Sequence, residues 1–213
     1  MKNKIALLVY PEFSFQEIGN TIALFKWYFN SPTVVFSSSS KPVKSEEGIT
    51  ILPEKTLEEF YVSDYDCLIL PGVSDVRESL KDKKLIDFLK SLKDYPEFVI
   101  GAICGGPIFL SMAGLLDNKK FTNQLYVEMN EKLPFINHKN IEYKPIVVDG
   151  NIITAVAGAY ADFPIVIARA LGYECPDGAY KPISDYDISE EKLKHYMNEE
   201  EIKIFEEVFA EFL

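Results

Sequence analysis

The 213-residue chain is 47% hydrophobic and 26% charged, the balance of a soluble globular protein, and at this length roughly 70% of the unfolded surface can be buried around one core. A net charge of −11 repels phosphate backbones and argues against nucleic acid as a partner. No apolar run approaches the ~20 residues that span a bilayer, and Met1-Lys2-Asn3-Lys4 opens without a signal peptide, so neither a membrane nor an exported setting is expected.

The first element is Lys4 to Tyr10 (KIALLVY), a continuous apolar run of strand length. Ser14 to Phe29 reads as a helix: Ser14 and Glu17 have the spacing of a capping box, and Ile18, Ile22, Phe25 and Phe29 recur at helical intervals. Thr33 to Ser38 is a second strand. Ser39 to Leu52 holds Pro42 and Gly48 between short β-prone pieces, the pattern of a small hairpin or excursion. Cys67 to Leu70 (CLIL) is a third core strand, ending at Pro71-Gly72, and Leu80 to Leu92 is an amphipathic helix.

Phe98 to Ile103 is another apolar run, and it stops at Cys104-Gly105-Gly106-Pro107 before an apolar helix resumes at Ile108. Strand, small-residue turn and helix in that order form a nucleophile elbow, with the thiol in the turn. Helix N–H groups beneath it are expected to favour a thiolate and lower the thiol pKa. Pro107 is tolerated in the first helical turn because its missing N–H would be unpaired there anyway. Further on, Ile146 to Val148 and Ile152 to Ala155 flank Asp149-Gly150, a hairpin signal. A helix over Asp162 to Leu171 follows, then an acidic helical tail over Ser189 to Leu213, within an extension spanning residues 184–213.

Apolar strands alternating with helices predict an α/β fold with a mostly parallel sheet covered on both faces. Ligands bind beyond the carboxyl ends of such strands. Three segments meet there: Pro11 to Glu17, Pro71-Gly72-Val73, and Cys104. The whole chain, 1–213, reads as a single domain. Cys67, inside a strand, and Cys175, in ECPDG, read as inert thiols. Three cysteines without a CxxC pair fit a reducing compartment, with no disulfide framework and no metal site. Glu17 has two readings at this point: it closes a capping box, or it faces the thiol. Gly72, Gly105, Gly106 and Gly158 read as turn residues, or as places where the backbone comes close to the site.

Taken together, LLVYPEFSFQEIG, CLILPGV, GAICGGPIFL, AGLLDNKKFTNQ and VAGAYADFPIVIARAL resemble the ThiJ/PfpI superfamily over about residues 4 to 173. This is the flavodoxin-like group that includes the human parkinsonism-associated deglycase and archaeal intracellular proteases. The resemblance implies a flavodoxin-like three-layer α/β/α sandwich. It places Cys104 on the reactive cysteine and Glu17 on the acidic residue that shares a proton with the sulfur. Backbone N–H groups of Gly105 and Val73, with Gly72 beside them, fall on the oxyanion pocket, and Gln124 and Gly158 line the site.

Many members have a histidine where this chain has Gln124, which cannot take a proton at neutral pH. His138 reads as a loop residue and His195 as a partner of Glu199, so no histidine falls in a matched segment. The absence of the downstream H-x-E pair argues against glutamine hydrolysis, and an acidic tail argues against a DNA-binding regulator. The resemblance implies a homodimer acting on a small electrophilic or carbonyl substrate, as a glyoxalase, deglycase, hydratase or amidase-like hydrolase, and the sequence leads us to expect a cytoplasmic setting and no cofactor. The alternative is a redox sensor whose Cys104 oxidises to a sulfinate.

Overall fold

The computed structural model describes residues 4–181, Lys194 and residues 196–208. The strands are β1 (Ile5–Leu8), β2 (Thr33–Ser37), β3 (Val43–Lys44), β4 (Thr50–Ile51), β5 (Lys55–Thr56), β6 (Cys67–Leu70), β7 (Val99–Ile103), β8 (Ile146–Asp149) and β9 (Ile152–Ala155). Seven of them form one sheet in the order β5-β2-β1-β6-β7-β9-β8. All neighbours in it are parallel except the β8/β9 hairpin. The central strands β1, β6 and β9 are buried at every position, as a sheet covered on both faces requires. The remaining pair, β3 and β4, is a separate antiparallel hairpin.

Helix α1 (Gln16–Ala23) continues as a π-helical turn over Leu24–Tyr28. It is followed by α2 (Lys83–Ser91), α3 (Pro107–Met112), α4 (Val127–Lys132) and α5 (Phe163–Ala170). α5 packs on α1, β7 and β9, while α2 packs on α3. The result is the predicted flavodoxin-like three-layer α/β/α sandwich. At Gly101 in β7, an added Cβ would meet Ile167 Cδ1 at 2.7 Å and Phe163 Cζ at 3.0 Å, so the absence of a side chain there lets α5 settle on the sheet.

The hairpin over Asp149-Gly150 forms as expected, with Gly150 at φ 60°. α2 starts at Lys83 rather than Leu80, because the Asp82 side chain accepts from the N–H groups of Lys84 and Leu85 at 3.0 and 3.3 Å and fixes the helix start. Two elements have no counterpart in the sequence reading. β5 is a two-residue edge strand, and α4 begins in a stretch where Tyr126 and Val127 are exposed, so it carries no clear apolar face.

A second compact unit starts at Pro182. Its described helix, α6 (Glu199–Val208), is capped by Asn198, whose side chain accepts from Glu200 and Glu201 N–H at 3.0 and 2.9 Å. The Asn198 N–H in turn donates to the Glu201 carboxylate at 2.8 Å, a reciprocal cap. The rest of the predicted acidic tail, and the His195–Glu199 pairing, lie outside the described residues.

Candidate active site

Cys104 is the first residue past β7 and has φ 58°. The left-handed region costs a non-glycine residue about 1–2 kcal/mol, and two main-chain hydrogen bonds hold it there. The Cys104 N–H donates to the Ala155 carbonyl at 2.8 Å, and the Cys104 carbonyl accepts from the Gln124 N–H at 2.9 Å. The thiol is half-buried. The turn below it closes tightly, for a Cβ on Gly106 would lie 2.6 Å from the Pro71 carbonyl oxygen.

Glu17 points inward from the first turn of α1 and is 7% exposed. Its Oε2 accepts from the Gly72 N–H at 2.8 Å, and its carboxyl lies beside the Cys104 thiol, each group acting on the other's pKa. Gly72 makes this contact possible, since a Cβ there would sit 2.0 Å from Oε2 and 2.7 Å from the Cys104 Cβ. Gly72 therefore places Glu17. Its N–H is already engaged and is not free to hold an oxyanion, which corrects the expectation for that residue. The Gly105 N–H faces the sulfur. A Cβ on Gly105 would lie 3.1 Å from the Val73 Cγ1 and 3.5 Å from the Val73 nitrogen. Val73 itself sits opposite Phe13 in a narrow pairing, and its N–H has no acceptor among the described residues.

The capping box does not form. The N–H groups of Phe15 and Gln16 donate instead to Glu47, at 3.0 and 2.9 Å, and the Ser14 hydroxyl donates to it at 3.2 Å. Glu47 belongs to the β3–β4 hairpin, some thirty residues away in sequence, and a cap supplied from such a distance leaves no local signal. With the helix end satisfied, Glu17 is released to the interior. Burial, the largest single influence on Glu47, raises its carboxyl, but the hydrogen bonds from Gln16, Phe15 and Ser45 together outweigh it and hold Glu47 down at about 2.

Burial pushes Glu17 up, with Glu46 and Glu47 adding to the shift, while hydrogen bonds from Cys104 and Gly72 oppose it. Cys104 moves against expectation. Burial, then the Glu17 carboxylate, drives its thiol above the ordinary range, and the Gly105 N–H offsets only part of this. The sequence reading gave the helix end too much weight: such an end supplies about 0.3–2 kcal/mol, whereas effective desolvation of an ion runs to several. Two adjacent negative charges are disfavoured, so the ionisation of either group opposes that of the other.

The remaining predicted residues fall at the same end of the sheet. Gln124 is exposed and reaches the elbow through its main chain. Gly158 is exposed in the turn after β9, where an added Cβ would meet nothing within 4 Å, so packing does not demand a glycine. His138 stands in the His138–Asn140 turn, and no described hydrogen bond joins it to Cys104 or Glu17. Sequence reasoning missed Glu47 and also Tyr10, whose buried hydroxyl donates to the Pro71 carbonyl. Among the described residues, no three His, Cys, Asp or Glu side chains are grouped to hold a metal ion, and no helix is long and apolar enough to cross a membrane.

Several known proteins resemble this chain. Protein dj-1beta of Drosophila melanogaster is 28% identical over 140 residues, 65% of this chain and 73% of that protein. An uncharacterized protease of Bacillus subtilis is 30% identical over 187 residues, 82% of this chain and 86% of its own. Isonitrile hydratase of Pseudomonas putida is 30% identical over 131 residues, which make up 61% of this chain but only 55% of the hydratase. The crystal structure of a DJ-1 superfamily protein from Agrobacterium tumefaciens superposes with a TM-score of 0.72 at 23% identity, over 82% of this chain and 92% of that one, and supports the fold. The DJ-1/PfpI family model matches residues 3–170, a span that holds the elbow, Glu17 and the whole sheet, and the chain therefore belongs to the DJ-1/PfpI family.

Proposed function

We propose that this protein is a cysteine-dependent enzyme acting on a small electrophilic carbon, with Cys104 as nucleophile and Glu17 as its proton partner. The observation that carries this reading is the placement of the buried Glu17 carboxyl beside the Cys104 thiol, at a turn residue held in the left-handed region at φ 58°. The thiolate is formed by moving the pair's proton onto Glu17, so no second charge is created. The sulfur then adds to a carbonyl carbon: a C–S bond forms, the C=O π bond opens, and negative charge collects on oxygen. The N–H groups of Gly105 and Val73 are assigned to that charge, the former released from the sulfur as its charge is lost, and Glu17 delivers its proton to the oxygen. In the hemithioacetal of a 2-oxoaldehyde, the Glu17 carboxylate then takes the C1 proton and returns it at C2 as the ketone becomes an alcohol, and water displaces the sulfur from the resulting thioester, which restores the thiol and releases a 2-hydroxy acid.

Because Gln124 cannot act as a base, the leaving group of a peptide gets no imidazolium to protonate it. Addition and hydration of aldehydes or related small electrophiles is therefore the reaction class that this chain's residues support, ahead of peptide cleavage. The relatives that include an isonitrile hydratase and a protease give the family breadth for it. A homodimer in a reducing, cytoplasmic setting belongs to the same proposal, checked by the mass of the purified protein in solution and by fractionation.

Turnover of methylglyoxal and of an activated ester by wild type and Cys104→Ala tests the reading. Loss of all activity in the variant is expected, and activity that survives overturns it. If the wild type turns over nothing, yet mild peroxide adds two oxygens at Cys104 alone, the role passes to redox sensing.

A further inference from the structure

The Pro71–Gly72 peptide unit is gripped at both ends. The Tyr10 hydroxyl donates to the Pro71 carbonyl oxygen, and the N–H of the same amide, on Gly72, donates to Glu17 Oε2 at 2.8 Å. Tyr10 is 2% exposed, and its ring is seated against Phe109 with centroids 4.6 Å apart. A hydrogen bond into an amide oxygen polarises the amide and strengthens its N–H as a donor, by roughly 10–30% per bond in condensed phase. An oxygen that accepts a strong main-chain N–H is the unprotonated one of a carboxylic acid. The proton then belongs on Oε1, the oxygen that this bond leaves free.

We propose that Tyr10 is a positioning residue: through the Pro71–Gly72 peptide it fixes which oxygen of Glu17 faces the main chain and so aims the protonated oxygen at Cys104. This rests on the reading that Glu17 and Cys104 share a proton. The groups acting on Glu17 are Cys104, Gly72, Glu46 and Glu47, and those acting on Cys104 are Glu17, Gly105 and Glu46. Tyr10 in turn feels Glu17 and Cys104. No cation stands among them, so the placement of one proton is what sets the charge on sulfur.

The test is the pH dependence of iodoacetamide alkylation at Cys104, resolved by peptide mass spectrometry in the full chain, for wild type, Tyr10→Phe, Glu17→Gln and the double variant. Tyr10→Phe keeps the ring and removes the donor. It is expected to slow alkylation at pH 7 about threefold to tenfold, by loosening a preorganised donor to the thiolate. The effect should vanish in the Glu17→Gln background. Phe109→Leu, which disturbs the ring contact and leaves the hydroxyl, should stay within about twofold of wild type, on the usual scale of a packing change away from the reacting atoms.

A Tyr10→Phe profile identical to wild type, while Glu17→Gln shifts it, overturns the role of Tyr10 and leaves the proton-sharing pair standing. An unchanged Glu17→Gln profile removes the pair and the inference with it. Equal slowing by Tyr10→Phe in both backgrounds, or by Phe109→Leu, assigns the effect to packing and overturns the proposal.

Discussion

Cys67 opens one strand of the sheet and Cys104 follows the end of its neighbour, and burial pushes both thiols up. Cys67 opens β6 with no exposed surface, and among the described residues Asp66 is the charge that raises it further. Cys104 stands just past β7, half-buried, against a carboxyl that can hold a proton and an N–H that can face the sulfur. Burial alone makes a thiol inert. Burial beside a partner able to keep the proton allows a thiolate without a second charge, so the partner, rather than the direction of the pKa shift, separates the two cysteines.

The sharpest way to break this comparison is competitive alkylation of the native protein at pH 7. Cys104 should label at least about 100-fold faster than Cys67, read by peptide mass spectrometry, and similar rates would erase the distinction. Next comes Gly72→Ala, which places a carbon 2.0 Å from Glu17 Oε2 and must displace the carboxyl. Turnover should fall about 100-fold, as misplacement near 1 Å does elsewhere, with about 1–3 kcal/mol of stability lost to overpacking. Retained turnover would mean that the contact between carboxyl and sulfur is dispensable.

Glu17→Gln keeps the shape and removes the titrating proton, and turnover should drop about 10- to 100-fold. Its effect on stability has a definite sign. Because Glu17 is raised in the folded protein, the stability it supplies is complete below the ordinary carboxylate pKa and is lost as pH rises through the raised value. The variant should therefore gain on wild type between pH 4 and pH 7 in thermal unfolding.

Glu47→Gln runs the other way. Glu47 is held at about 2, so its stabilisation is present above the ordinary carboxylate pKa and fades as pH falls toward 2. Its loss should cost about 0.5–1 kcal/mol at neutral pH, allowing for solvent screening at an exposed cap, and nothing by pH 2. Gly158→Ala gives the smallest effect. With nothing within 4 Å, it should stay within about 0.5 kcal/mol of wild type.

Much of the frame was legible in the sequence because strands buried on both faces are apolar without interruption, as CLIL and KIALLVY are. The elbow was legible because a thiol followed by Gly-Gly-Pro breaks such a run abruptly. The true cap of α1 could not be read, since Glu47 reaches it from a hairpin and Ser14-x-x-Glu17 imitates a local one. The two-residue β5 and the short α4 bury too little to leave a periodic pattern. The direction of the thiol shift was misjudged because burial, which outweighs the helix end, depends on tertiary packing. Gly72 was visible as a turn, but its closeness to a carboxyl more than fifty residues away in sequence follows only from the β1–β6 pairing.

The backbone at Cys104 has a consequence for engineering. Its left-handed conformation is one that glycine adopts without penalty, so a screen for heat tolerance that ignores chemistry would be drawn to replace this cysteine. Under the proposed function robustness and reactivity compete at a single residue, and a sturdier version of the protein is to be sought at other positions.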